Sequence, residues 1–92
     1  SDESVVVLAK DGDTAALDYI LEKYKPLVKA KSRAYFLKGA DNEDIIQEGM
    51  IGLYKSVRDF NAEKYSSYKA FAELCVNRQV KGGDKTEAYA AK

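Results

Sequence analysis

Two glycines three residues apart, Gly49 and Gly52, stand inside a run that otherwise reads as one helix, Asp41 to Phe60: DNEDIIQEGMIGLYKSVRDF. Each glycine costs a helix interior about 1 kcal/mol relative to alanine. Two of them so close need a compensation, and close approach of a second helix supplies it. At about 100° per residue the run divides into three stripes. Ile46, Met50, Leu53, Val57 and Phe60 recur at steps of four and three, the spacing of a core-facing seam. Ile45, Gly49, Gly52 and Ser56 form a second stripe almost without bulk, suited to tight helix packing. The third holds Asp44, Gln47, Ile51, Tyr54 and Arg58, with Glu48 and Lys55 on its flank. That stripe is polar, yet an isoleucine and a tyrosine occupy its middle. Single exposed apolar residues are common, but an apolar pair among acids reads as a partner surface.

The chain around this run has 92 residues, enough for one small domain that hides roughly two-thirds of its unfolded surface. With 46% hydrophobic and 33% charged residues it is a globular chain rather than a disordered one. Fifteen basic residues balance fifteen acidic ones, so the net charge carries no message. The distribution does. Lys23, Lys25, Lys29, Lys31, Arg33 and Lys38 follow one another without an acid, and Asp41, Glu43, Asp44 and Glu48 without a base. Blocks of opposite sign in one small domain point to two faces with different partners. A lone cysteine, Cys75, forms no internal disulfide and points to a reducing cytoplasm. No apolar run approaches the ~20 residues of a membrane span, and no signal-peptide pattern opens the chain.

Taken in order, Asp2 or Ser4 can cap a short helix carrying Val5, Val6, Val7 and Leu8. Gly12 fits a left-handed stop after it. Asp13 or Thr14 starts a second helix with Ala16, Leu17, Ile20, Leu21 and Tyr24 on one face. Pro26 either kinks a long helix or opens a new one. Leu27, Val28, Ala34, Tyr35 and Leu37 continue the apolar side up to Gly39. Asp41 or Asn42 caps the central helix, whose first-turn acids suit its dipole. The polar stretch NAEKYSS, residues 61–67, reads as a loop, and Ser66 or Ser67 caps a last helix to about Lys81. Its apolar arc comprises Tyr68, Phe71, Ala72, Leu74, Cys75 and Val76. Strand-like alternation and internal repeats are both absent. The fold class is all-α, a compact bundle of about four helices over residues 1–81. Gly82-Gly83 then breaks into a tail, residues 82–92.

The residues exclude most catalytic chemistry. The chain has no histidine, the commonest general base and metal ligand. It contains no nucleotide-binding loop, zinc pattern or nucleophile-base pair. Asp41, Asp44 and Glu48 recur at helical spacing and can in principle hold a hard cation. A solvated, dipole-matched helix start explains the same residues more simply. No metal, cofactor or enzymatic activity is expected, and the chain reads as a binding module. The other candidate is aromatic: Phe60, Tyr65, Tyr68 and Phe71 cluster around the last loop, interleaved with Lys64 and Lys69. Exposed rings beside cations suit stacking of unpaired bases, worth about 1–3 kcal/mol each. Burial is the plainer fate of Phe60 and Phe71. Tyr65, in the loop, is the ring expected to be exposed.

These residues carry a resemblance. DNEDIIQEGMIGLYKSVRDF resembles the polymerase-binding segment of bacterial sigma factors: an Asp, two aliphatics, Gln-Glu-Gly, then Gly-Leu before a basic residue and a closing Phe. AKDGDTAALDYILEKYKPLV resembles the opening helices of that family, and YKAFAELCVNRQV its promoter-melting helix. The likeness spans about residues 4–80 and is nearest to the sporulation and stationary-phase sigma-H type. It implies that Asp44, Gln47, Glu48, Ile51 and Tyr54 contact the coiled-coil clamp helices of the RNA polymerase β′ subunit. It implies too that Tyr65, Tyr68 and Phe71 lie where sigma factors take the flipped non-template bases of the promoter −10 element, and Lys64, Lys69 and Arg78 are the cations expected to bind DNA beside them. Lys64-Tyr65-Ser66-Ser67-Tyr68 resembles the Lys-Phe-Ser-Thr-Tyr of primary sigma factors. An anti-sigma factor is a further partner the resemblance admits.

The tail departs from the family. Where a sigma factor continues its helix with aliphatic and basic residues, this chain has KGGDKTEAYAAK, and the domain that reads the −35 element is missing. The chain therefore reads as a fragment or an altered form. Two functions follow: a sigma region 2 domain that binds polymerase and helps melt the −10 element, or a sigma-like scaffold without DNA binding of its own.

Overall fold

The computed structural model describes residues 1–33 and 42–81, which form four helices with no strand among them. They are α1 (Asp2–Lys10), α2 (Thr14–Arg33), α3 (Asn42–Asp59) and α4 (Tyr68–Lys81). Ala34, Tyr35, Leu37, Lys38, Asp41 and the tail 82–92 lie outside the described residues.

The cap of α1 is Ser1, whose Oγ accepts from the Ser4 backbone N–H at 3.3 Å, rather than Asp2 or Ser4. The two acids of the first turn are thereby free to reach other helices. Asp2 accepts from Lys23 Nζ at 2.7 Å and from the Tyr24 hydroxyl, both on α2. Glu3 Oε2 accepts from the Tyr68 N–H at 2.7 Å, at the start of α4. At the other end of α1, Lys10 Nζ donates to the Phe60 carbonyl at 2.6 Å, a cation placed at the negative end of α3. Gly12 takes φ +107°, the left-handed stop its position called for. Asp13 Oδ1 then accepts from the Ala16 N–H at 3.0 Å and caps α2.

Pro26 does not divide α2, which runs through it as one helix. Its ring removes the N–H that would reach the Glu22 carbonyl. Pro26 and Glu22 are both exposed, so the orphaned carbonyl is on the wet side of the helix. The opposite side carries Ala16, Ile20, Tyr24, Val28 and Ser32 at steps of four, all buried.

α3 packs most closely on α4 and next on α2. Leu53, Val57 and Phe60 are buried as the seam requires, while Ile46 and Met50 are only half-buried. The first half of α3 instead buries Ile45 and Gly49, because the small stripe is also an inward face. A Cβ on Gly49 would meet Val28 Cγ1 at 2.6 Å. A Cβ on Gly52 would meet the Cys75 carbonyl at 2.9 Å and Val76 Cα at 3.0 Å. The helix-propensity penalty of the glycines is offset by this contact, which no side chain permits.

On α4 the buried line is Tyr68, Ala72, Val76 and Val80. Leu74, expected in the apolar arc, is 50% exposed. It stands six residues past Tyr68, roughly 240° around the helix from that line. No described helix is long and apolar enough to cross a membrane.

Candidate functional site

Burying two stripes of α3 turns its third outward. Asp44, Gln47, Ile51, Tyr54 and Arg58 are exposed, with Ile51 at 45% and Tyr54 at 52%. Glu48, at the edge, is half-buried, and its Oε2 accepts from Gln79 Nε2 on α4 at 3.1 Å. Lys55 Nζ donates to Gln79 Oε1 at 3.1 Å. Arg58 is paired with its neighbour Asp59 through Nε and Nη2 at 2.8 and 2.9 Å. The resulting face has carboxylates and an amide at the N-terminal end of α3 and two apolar side chains in the middle. Among the described residues no three His, Cys, Asp or Glu side chains converge on a metal-sized space; Asp41 lies outside them.

The loop between α3 and α4 builds a second surface. Asn61 organises it: its carbonyl accepts from the Lys64 and Tyr65 N–H groups at 3.0 and 2.9 Å, and its Oδ1 from Glu63 N–H at 2.9 Å. Ser67, not Ser66, caps α4, its Oγ accepting from the Ala70 N–H at 3.2 Å. Between loop and helix lies an open groove of about 320 Å³ lined by Lys64, Tyr65, Ser66, Ser67, Ala70, Phe71 and Leu74. Lys64 Nζ stands 5.8 Å from the centre of the Tyr65 ring. The Tyr65 ring leans on Phe71 at 4.5 Å between centroids. Tyr65 is therefore half-buried rather than free in the loop, and Phe71 is half-buried rather than core.

Three of the six predicted nucleic-acid residues, Tyr68, Lys69 and Arg78, do not line this groove. Tyr68 is wholly buried, edge-on to Tyr24 and Phe60 at 5.3 and 5.4 Å, so no base can stack on it. Burial pushes its phenol up to about 12. Lys69 is exposed, but it stands two residues before Phe71 and so projects from the other side of α4. Arg78, seven residues after Phe71, is exposed on the groove side. Leu74 joins the groove as an exposed apolar residue that the apolar-arc reading assigned to the core. The i, i+3, i+7 spacing of Phe71, Leu74 and Arg78 marks this outer face, once the steps of four from Tyr68 to Val80 claim the core. Cys75, behind the groove, is half-buried, and burial raises its thiol.

Residues 20–82 match the family model described as Sigma-70 region 2. The chain belongs to that family. It is 59% identical over 85 residues to the RNA polymerase sigma-H factor of Bacillus licheniformis, covering 92% of this chain and 38% of the relative. The sigma-H factor of Bacillus subtilis (strain 168) is also 59% identical over 85 residues, with 92% and 39% covered. The sigma-K factor of the same strain is 30% identical over 79 residues, with 83% and 27% covered. This sigma-70 region 2 domain thus spans about two-fifths of the length of its sigma-H relatives. No solved structure gave a significant match to it. The region 2 match takes in both surfaces, the outward stripe of α3 and the groove beside α4.

Proposed function

We propose that this sigma-70 region 2 domain docks on the clamp helices of the RNA polymerase β′ subunit through Asp44, Gln47, Glu48, Ile51 and Tyr54. We further propose that its loop–α4 groove receives unpaired bases of the −10 element. The observation that carries the reading is the exposure of Ile51 and Tyr54 among carboxylates, on a helix whose other faces are both buried. Desolvating two apolar side chains supplies affinity, while the acids at the N-terminal end of the stripe select a basic partner helix and orient it. In the groove, Tyr65 and Phe71 offer ring faces, Leu74 offers an apolar wall, and Lys64 and Arg78 follow phosphates. The domain performs no covalent chemistry. It acts by binding energy alone, lowering the cost of open DNA. An anti-sigma factor would compete by covering the acidic α3 face.

The test is capture by a β′ clamp-helix fragment. Tyr54→Ala and Glu48→Lys are expected to weaken binding at least tenfold, about 1.4 kcal/mol, with unchanged helical circular dichroism. Undiminished capture of both variants would sink the docking half of the proposal and favour a scaffold that has lost this contact.

A further inference from the structure

Gln79 of α4 is seated directly over Gly52 of α3. A Cβ on Gly52 would come within 2.8 Å of Gln79 Cβ, so the missing side chain is what makes room for the glutamine. Glu48 and Lys55 stand a turn to either side of Gly52, at i−4 and i+3, on the same face of α3. From its seat the Gln79 amide reaches both, donating to Glu48 Oε2 at 3.1 Å and accepting from Lys55 Nζ at 3.1 Å. A carboxylate only accepts and an ammonium only donates, so only one orientation of the amide satisfies both neighbours. The result is a polarised acid–amide–base bridge. It lies part-buried along the border between the docking stripe and the helix packing.

We infer that Gln79 is a positioning residue for the docking surface. It holds the Glu48 carboxylate in one rotamer before any partner arrives, and Lys55 holds Gln79. A glutamate carboxylate has about four acceptor sites; one is spent on Gln79, which leaves others for the partner. A free glutamate loses rotamer freedom when it is captured, and a pre-ordered one loses less. Gln79 thus raises affinity without touching the partner. The inference rests on the docking proposal above, and its test separates the two.

The test is a double-mutant cycle on affinity for a fluorescent β′ clamp-helix fragment. Gln79→Leu keeps the seat over Gly52 and removes the amide. It is expected to weaken binding about fivefold to tenfold in the parent and less than about twofold in a Glu48→Ala background. Side-chain amide resonances of Gln79 in the free chain are expected to move in Glu48→Ala and in Lys55→Met. Equal losses in both backgrounds, no loss in the parent, or amide resonances indifferent to Glu48→Ala would each overturn the assignment while leaving docking intact. A parent chain that does not bind the fragment overturns the docking proposal, and this assignment with it.

Discussion

The Oγ of Ser56 and the hydroxyl of Tyr68 lie 2.7 Å apart at the centre of the bundle, where neither residue is exposed at all. Ser56 Oγ also donates to the Leu53 carbonyl at 2.5 Å. A serine has one proton to give, so Tyr68 donates to Ser56. The pair is asymmetric. Without the phenol, Ser56 keeps the Leu53 carbonyl; without the serine, the phenol is buried with no acceptor. Tyr68→Phe is therefore expected to cost about 1 kcal/mol or less, and Ser56→Ala about 1–3 kcal/mol. The double variant should be more stable than Ser56→Ala alone. Urea unfolding followed by circular dichroism measures all three, and a double variant less stable than Ser56→Ala would refute the bonding order.

The two glycines of α3 differ in what blocks a side chain. At Gly49 the nearest atoms are methyls of Val28 and Val80, buried side-chain atoms that can yield a little but not turn away. At Gly52 it is Gln79 Cβ together with the Cys75 carbonyl and Val76 Cα, and backbone cannot move without parting the helices. Alanine brings each position about 1 kcal/mol of helix propensity, while overpacking costs about 1–3 kcal/mol. Gly49→Ala is expected to be mildly destabilising and Gly52→Ala clearly more so. Thermal melts of the two variants decide it; the reverse ranking would show that α3 and α4 are not so tightly apposed.

The glycines were also the most legible feature of the sequence. Their cost has one common remedy, and the helix contact they announce is present on both sides of α3. The exposure of Ile51 and Tyr54 followed from the same geometry, since two inward stripes leave one outward. Tyr68 was only half legible, since the sequence put it both on the apolar arc of α4 and among the candidate stacking rings. A tyrosine at a loop–helix boundary beside lysines suits stacking, and only the three-dimensional meeting of Tyr24, Phe60 and Ser56 shows that it closes the core. Leu74 misled for a related reason. α4 has apolar residues on more than one side, so composition could not separate the buried line from the groove wall. The Glu48–Gln79–Lys55 bridge joins residues far apart in the chain, and no local pattern announces such a contact.

Acid should loosen the grip of α1. Its hydrogen bond from Lys23, and then that from Tyr24, hold Asp2 below the ordinary aspartate value of 3.8. The Tyr68 N–H holds Glu3 below the ordinary 4.5. Both are depressed on folding, so the stability they contribute is fully present above those ordinary values. It is lost as pH falls through the lower folded ones. Stability is expected to be flat from neutrality to about pH 5 and to decline below it. The double variant Asp2→Asn, Glu3→Gln should be weaker at pH 7 yet lose less on acidification, so the two curves draw together as the pH falls below the ordinary carboxylate range. Parallel curves would mean that other carboxylates govern the acid limb.

The groove makes a positional claim about cations. Lys64 and Arg78 stand on its side of the fold, and Lys69 projects away from it. In titrations of a fluorescent single-stranded −10 oligonucleotide at low salt, Tyr65→Ala should cost about 1–3 kcal/mol. Lys64→Ala should weaken binding and also flatten the salt dependence by about 0.7 in log–log slope, the share of one phosphate contact on a single strand. Lys69→Ala and Tyr68→Phe should leave affinity and slope alone, the first because it faces the wrong way and the second because its ring is enclosed. If Lys69→Ala reduced the slope as much as Lys64→Ala, the strand would not run along this groove. If the parent chain bound no oligonucleotide at low salt, the nucleic-acid half of the proposed function would fall and the scaffold reading would stand.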